Sequence, residues 1–219
     1  MVTGLYKSGA SIGSAVAFFL GNPTLNPAVL VFMVFTIGWP WAALRLILGL
    51  VLVFGGAALA TRLTAGTPEA TREVTIAAEQ EPPPGHWLVR WLRALLALSI
   101  RLVPEYVLIM GVLGAARVFL FPAMGPELGN NLVAIVGLAI AGMLFAIPTA
   151  GEIPLIQTML GYGVGAGPAG ALLLTLAPLS LPSLVMLGHT FPRRVLFALA
   201  GLTVALGIVA GLLAIALGF

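Results

Sequence analysis

The 219-residue chain contains no cysteine and no aspartate; its seven acidic residues are all glutamate. Without a thiol there is no thiolate metal ligand, no redox pair and no Cys nucleophile. Without aspartate there is no aspartyl pair, and the two histidines, His86 and His189, stand 103 positions apart (189 − 86 = 103), which excludes a His-Glu-x-x-His zinc motif. No catalytic set for an intramembrane enzyme is visible, so the chain reads as a non-enzyme with no cofactor. Charge is scarce as well: Lys+Arg 10 and Asp+Glu 7 make up 8% of the residues, against roughly 25% in a soluble domain. Eight of those seventeen charges fall between Arg62 and Arg93. Such a chain cannot cover a globular surface with polar groups, which excludes a soluble domain. The net charge of +3 is too thinly spread to track nucleic-acid phosphates. What is abundant is apolar, at 60% of residues, and lipid is the natural solvent.

A crossing helix needs about 20 apolar residues. Val195–Phe219 is the clearest span, with 25 residues and no charge. Trp41–Ala60 carries only Arg45, awkwardly near one end; Pro104–Phe121 contains Glu105 and Arg117; Leu132–Ile147 is short and uncharged. Thr61–Gly85 is acidic, ends in Pro82-Pro83-Pro84-Gly85 and reads as a solvated loop. In Trp87–Val103 a helical wheel gathers Arg90, Arg93 and Arg101 on one face, the pattern of an amphipathic interfacial helix. Trp39, Trp41, Trp87 and Trp91 sit at segment ends, as an aromatic belt requires. Positive-inside counting places the Arg-rich stretch 61–93 and the loop His189–Arg194 in the cytoplasm, and the loop 122–131 with Glu127 outside. Lys7 before the apolar run Ile12–Leu20 imitates a signal peptide, but that run leads into a motif that recurs downstream, so it belongs to the fold.

That recurrence is an internal repeat. Setting 9–20 against 163–174 pairs Gly9 with Gly163, Gly13 with Gly167, Ala15 with Ala169, Ala17 with Ala171 and Leu20 with Leu174. One inserted residue later, Pro23 and Pro27 match Pro178 and Pro182. Prolines four apart stop helices from both sides, and non-helical backbone at membrane depth must line a cavity or be buried in protein. Three crossings lie between the two interruptions, so they enter from opposite faces, with a site where they meet near the midplane. The fold class that follows is all-α: a polytopic transmembrane helical bundle with an inverted repeat and two broken-helix or re-entrant hairpins. Its parts are repeat 1 over 1–60 (hairpin 8–38, span 41–60), the loop and interfacial helix over 61–103, and 104–219, with span 104–121 followed by repeat 2 (span 132–147, hairpin 168–188, span 195–219). The alternative is that the proline pairs only kink two ordinary spans.

Lys7-Ser-Gly-Ala-Ser-Ile-Gly13 running into Phe18-Phe-Leu-Gly-Asn-Pro-Thr-Leu-Asn-Pro27 resembles the first repeat of the predicted permeases grouped with the organoarsenical (methylarsenite) efflux permeases. Ile147-Pro-Thr-Ala-Gly-Glu-Ile-Pro154, Gly163-Val-Gly-Ala-Gly-Pro168 and Pro178-Leu-Ser-Leu-Pro182 resemble the second. The resemblance implies a multi-pass permease of the cytoplasmic membrane that moves a small solute, outward in the efflux members. Where the family often has a Cys-containing stretch before the hairpin, this chain has Thr149-Ala-Gly-Glu152, so an arsenical substrate is not carried over. Against repeat 2, repeat 1 lacks its first span, which predicts a truncated or split protein, completed by a partner subunit or a second copy.

Glu152, between Pro148 and Pro154 at a helix break, is the expected ion-coupling group; its competing role is to cap the helix over 155–162. Asn22, Thr24 and Asn26 in the first break, and Ser180 and Ser183 in the second, are the expected solute ligands, with N-capping of the following half-helices as the alternative. Pro23, Pro27, Pro148, Pro154, Pro178 and Pro182 make the breaks. His189 reads as an interfacial residue, Arg101 and Glu105 as an intrahelical pair, and Arg117 and Lys7 as cations reaching for the interface. The Gly161–Gly170 run lacks the Gly-Lys-Ser/Thr of a phosphate loop and reads as close helix packing. Two functions stay open: an ion-driven or passive permease, and a non-transporting membrane subunit.

Overall fold

Proline, glycine and short polar side chains decide where the helices stop. In the computed structural model, residues 11–66, 129–147, 150–188 and 191–219 are described, with Leu88, Val89, Leu92, Arg93, Leu96 and Ile100 between them. The chain divides into two units, one of residues 1–74 with 124–219 and one of 75–123. In the second unit the described positions are helical, within the segment expected as the interfacial helix. The remainder of that helix, the expected span 104–121 with Glu105 and Arg117, Arg101, Glu127, Lys7 and His189 lie outside the described residues.

The first unit opens with α1 (Ile12–Thr24), whose Ser11 hydroxyl accepts from the Ser14 amide at 3.1 Å. After Leu25 the chain re-enters helix as α2 (Pro27–Thr36), with Asn26 as N-cap and proline in its first turn, where no N–H is needed. Gly38, at φ 102°, turns the chain into α3 (Trp39–Thr64). Later in the sequence, after residue 123, come α4 (Leu132–Leu144), capped by Asn131, and α5 (Glu152–Gly161). They are followed by α6 (Ala166–Thr175), α7 (Leu181–Leu187) and α8 (Arg193–Ala216). Two sequences of short helix, break, short helix and long helix therefore occur, α1–α2–α3 and α6–α7–α8. Ile12–Thr36 taken together, Trp39–Thr64 and Arg193–Ala216 are each long and apolar enough to cross a membrane.

Within each set the first short helix lies antiparallel on the long one, and small residues set the distance. Along α1 and α3, Gly49 abuts Thr24 and Leu25, Gly56 abuts Leu20, and Gly13 abuts Thr61. Along α6 and α8, Gly170 lies against the Ala210 carbonyl and Gly211 against the Gly167 carbonyl. The long helices also meet each other. Gly55 approaches Leu202, Gly56 approaches Leu199, and the rings of Trp41 and Phe219 stand edge to face at 5.0 Å. This order makes α3 and α8 antiparallel, with the Trp39–Trp41 end beside Phe219 and the exposed Arg62 at the same end as Arg193. A shared core of Leu20, Leu52, Met143, Leu179, Val195 and Leu199 joins the two sets. Every residue of α6 is buried, as its Ala, Gly and Leu composition on all sides requires.

The Gly211–Gly167 approach leaves no room for a methyl: a Cβ on Gly211 would stand 2.6 Å from a backbone oxygen, whereas one on Gly137 meets open space. Gly211→Ala should therefore lower stability by about 1–2 kcal/mol, the overpacking cost less the gain in helix propensity. Gly137→Ala should leave it unchanged or raised; thermal unfolding in detergent compares the two.

Candidate functional site

The first break creates two carbonyls with no helical partner. In an unbroken helix the Pro23 carbonyl would accept from residue 27, but Pro27 has no N–H. The Thr24 carbonyl would accept from Ala28, but that amide donates to the Asn26 side chain at 3.0 Å. Both orphans are taken by one residue. Arg45, six residues into α3, donates from Nη2 to the Pro23 carbonyl at 2.9 Å and from Nε to the Thr24 carbonyl at 3.2 Å. Its third arm, Nη1, donates to Glu152 Oε1 at 2.6 Å. The side chains are 0% and 2% exposed, so this is a buried, charge-assisted contact. The cation sits at the negative C-terminal end of α1 and the carboxylate in the first turn of α5, so each charge also complements a helix dipole.

From sequence Arg45 is only an awkward charge near one end of a span and is not among the expected site residues. A lone arginine in an otherwise apolar span is itself the signal, because a charge at that depth is retained only with a partner. Glu152 is buried and its oxygen faces arginine; the N-cap of α5 is Gly151, with no side-chain cap bond. The capping role considered for Glu152 gives way to the ion pair.

The two breaks border one cavity of about 320 Å³. Asn22 and Pro23 line it from the last turn of α1, which runs through Pro23 instead of stopping there as expected; Pro178 and Ser180 line it from the second break, Ser183 from the first turn of α7, and Ala146 and Ile147 from the stretch after α4. Phe18, Phe19, Leu176 and Leu179 make its apolar walls; position 22 follows Gly21, which faces Val53 near the middle of α3. Of the polar residues singled out from sequence, Asn22, Ser180 and Ser183 reach the cavity. Ser180 and Ser183 also form a reciprocal capping box for α7: the Ser180 amide donates to Ser183 Oγ at 2.9 Å, and Ser183 Oγ donates to the Ser180 carbonyl at 2.8 Å. Asn26 caps α2 and does not line the cavity. Thr24 is buried with its methyl against Gly49, and its hydroxyl has no hydrogen-bond partner among the described residues. Pro27 and Pro182 sit in the first turns of α2 and α7, and Pro154 in that of α5, where a missing N–H is harmless. Pro148 lies outside the described residues. Among the described residues no group of three His or Glu side chains could hold a metal ion.

The ion pair gives a ranked prediction. Arg45→Met leaves a buried carboxylate alone and frees two carbonyls, and should cost about 3–5 kcal/mol. Glu152→Gln keeps an acceptor for Nη1 and should cost only about 1–2 kcal/mol. Denaturant titration of the purified protein in detergent reads the order.

Residues 1–215 match the model of a family described as predicted permease. The UPF0718 protein YraQ of Escherichia coli (strain K12) is 44% identical over 215 residues, which is 98% of this chain and 62% of that protein. The UPF0718 protein MJ0584 of Methanocaldococcus jannaschii is 27% identical over 126 residues, 57% of this chain and 34% of that protein. The chain thus spans less than two thirds of the length of the curated relatives it matches. No solved structure matches it.

Proposed function

The chain belongs to the predicted-permease family, and from that premise we propose that it carries a small solute across the cytoplasmic membrane through the cavity between its two broken helices. One observation carries the reading: one cavity is lined from beside both breaks, by Asn22 at the end of α1 on one side and by Ser180 and Ser183 on the other. Broken helices that meet this way are how secondary carriers expose backbone and side-chain polarity to a solute inside a bilayer. The antiparallel run of α3 and α8 supports an inverted repeat, because the matching long helices of the two sets then cross in opposite directions. The cationic ends of those helices, Arg62 and Arg193-Arg194, fall together, which supports placing that end in the cytoplasm. The sequence has no nucleotide motif, so the energy is drawn from an ion gradient or the solute's own gradient.

In this reading Asn22, Ser180 and Ser183 are the solute's polar contacts, while Thr24 and Asn26 keep the break in shape. Glu152 is the coupling group: an ion or proton bound at its carboxylate competes with Arg45 for the negative charge, so coupling and helix position are linked through one contact. A partner subunit or second copy beside this chain belongs to the same proposal and is tested by crosslinking in native membranes.

The test is flux in liposomes, screened over small neutral, anionic and cationic solutes. For the solute that moves, Asn22→Leu should lower flux about tenfold, the worth of one lost hydrogen bond of ~1.4 kcal/mol, without shifting the unfolding temperature. Glu152→Gln should abolish uphill transport and leave downhill exchange. Full flux in Asn22→Leu would remove the cavity from the pathway.

A further inference from the structure

We infer that the cavity between the breaks selects a cationic N–H donor, an amine or guanidinium on a small apolar body, and rejects carboxylates. The inference rests on reading that cavity as the solute site and adds the chemistry of what fits there.

It starts from a difference between the two breaks. In the first, the Pro23 and Thr24 carbonyls are both held by the Arg45 guanidinium. The sequence match that sets Pro23 against Pro178 also sets Thr24 against Leu179. The Pro178 carbonyl loses its helical donor in the same way, because residue 182 is again proline. In an unbroken helix the Leu179 carbonyl would accept from Ser183, but that amide donates to Ser180 Oγ at 3.4 Å. No amide or side chain among the described residues donates to either oxygen. Both residues are buried, and both line the cavity. They follow the negative C-terminal end of α6, whose last turn carries no basic residue. The second break thus repeats the acceptor pair that a guanidinium fills in the first, and turns it toward the cavity.

The serines beside these carbonyls have no proton left to offer. Ser183 Oγ donates to the Ser180 carbonyl at 2.8 Å and accepts from the Ser180 amide at 2.9 Å and from Ser180 Oγ at 3.2 Å. That fills its one donor and two acceptor positions. Ser180 Oγ has given its proton to Ser183 and accepts the Ser183 amide, which leaves it one lone pair. The start of α7, which would otherwise favour an anion, is closed by the same capping box and by the missing N–H of Pro182. Among the described residues no Lys, Arg or His lines the cavity, and Asn22 is the one lining side chain with N–H groups to donate. Its amide carries an acceptor as well. Phe18 and Phe19 complete the wall, and aromatic rings attract cations at short range. An ammonium therefore meets carbonyls, a hydroxyl lone pair and aromatic rings, whereas a carboxylate meets one amide.

The test uses three probes with one benzyl body: benzylammonium, benzyl alcohol and phenylacetate. Each is titrated calorimetrically at pH 7 into the purified protein in detergent, against a matched micelle blank. Benzylammonium should bind at least about tenfold tighter than phenylacetate, with benzyl alcohol between them. Asn22→Asp, which adds a negative charge at equal size, should tighten benzylammonium about tenfold and weaken phenylacetate. Pro182→Ala lies outside the cavity wall and supplies an amide that can take the Pro178 carbonyl or the spare Ser180 lone pair. It should lower the ratio of ammonium to phenylacetate affinity about threefold; a ratio is insensitive to general loss of folded protein, and gel filtration checks that both variants are monodisperse. Phenylacetate binding as tightly as the ammonium, no ammonium binding up to about 10 mM, no gain in Asn22→Asp or an unchanged ratio in Pro182→Ala would each overturn the inference. If the ammonium preference holds but Asn22→Leu leaves flux intact, the pathway reading falls and the cation site stands. If Asn22→Leu removes flux and the ammonium preference is absent, the cation site alone falls.

Discussion

One guanidinium holds the interrupted helix together. A break in an apolar helix exposes carbonyls that lipid cannot satisfy, each at a cost of several kcal/mol. The Asn26-Pro27 pair produces two such carbonyls in α1, and Arg45 binds both. That burial creates a second demand, a counter-charge for the guanidinium, and Glu152 meets it from α5. The break, the arginine and the acid are thus one unit. Lysine could supply the charge but not three donors in a fixed plane. A buried pair of this kind adds little net stability compared with apolar packing; what it supplies is position, fixing the first break relative to α5.

The two sets of helices, α1–α2–α3 and α6–α7–α8, follow the same order with different chemistry. α2 starts with Asn26 and Pro27, and α7 starts with Ser180, Pro182 and a capping box. α1 carries its own cap in Ser11, whereas at the matching position before α6 there is Gly165, and the cap comes from Asn130 of a distant segment. The carbonyl-binding arginine belongs to α3, the long helix after the first break; the long helix after the second break, α8, begins with Arg193 and Arg194 at its exposed end. The two breaks that border the cavity are thus held by different chemistry.

Much of this was legible in the residues. Two interruptions, expected at 21–27 and 178–182 and found at 25–26 and 176–180, the caps Asn26 and Ser180 weighed as the alternative to solute ligands, and the long helices follow from proline spacing and apolar run length, which are local properties. α1 runs on through Pro23 because a proline in a last turn costs less than one in mid-helix. Helix ends were less legible: α3 begins at Trp39 and runs to Thr64, past the expected 41–60, because Pro40 is welcome in a first turn and Arg62 favours a last one. The partner of Glu152 was hidden, since it lies 107 residues away and no local pattern records a pairing at that separation. The same holds for Phe18, Phe19 and Ile147, whose place in the cavity wall depends on tertiary packing alone. Thr24 and Asn26 looked like ligands because short polar residues at a break serve caps and sites equally well.

The central claim is that Arg45 and Glu152 act as one unit across the molecule. A double-mutant cycle on unfolding free energy, with Arg45→Met, Glu152→Met and the pair combined, measures that directly. The account predicts that the two single losses exceed the combined loss by about 2–3 kcal/mol, because each single variant strands a buried charge. Losses that add to within ~0.5 kcal/mol would contradict it, since that is the behaviour of residues that do not touch.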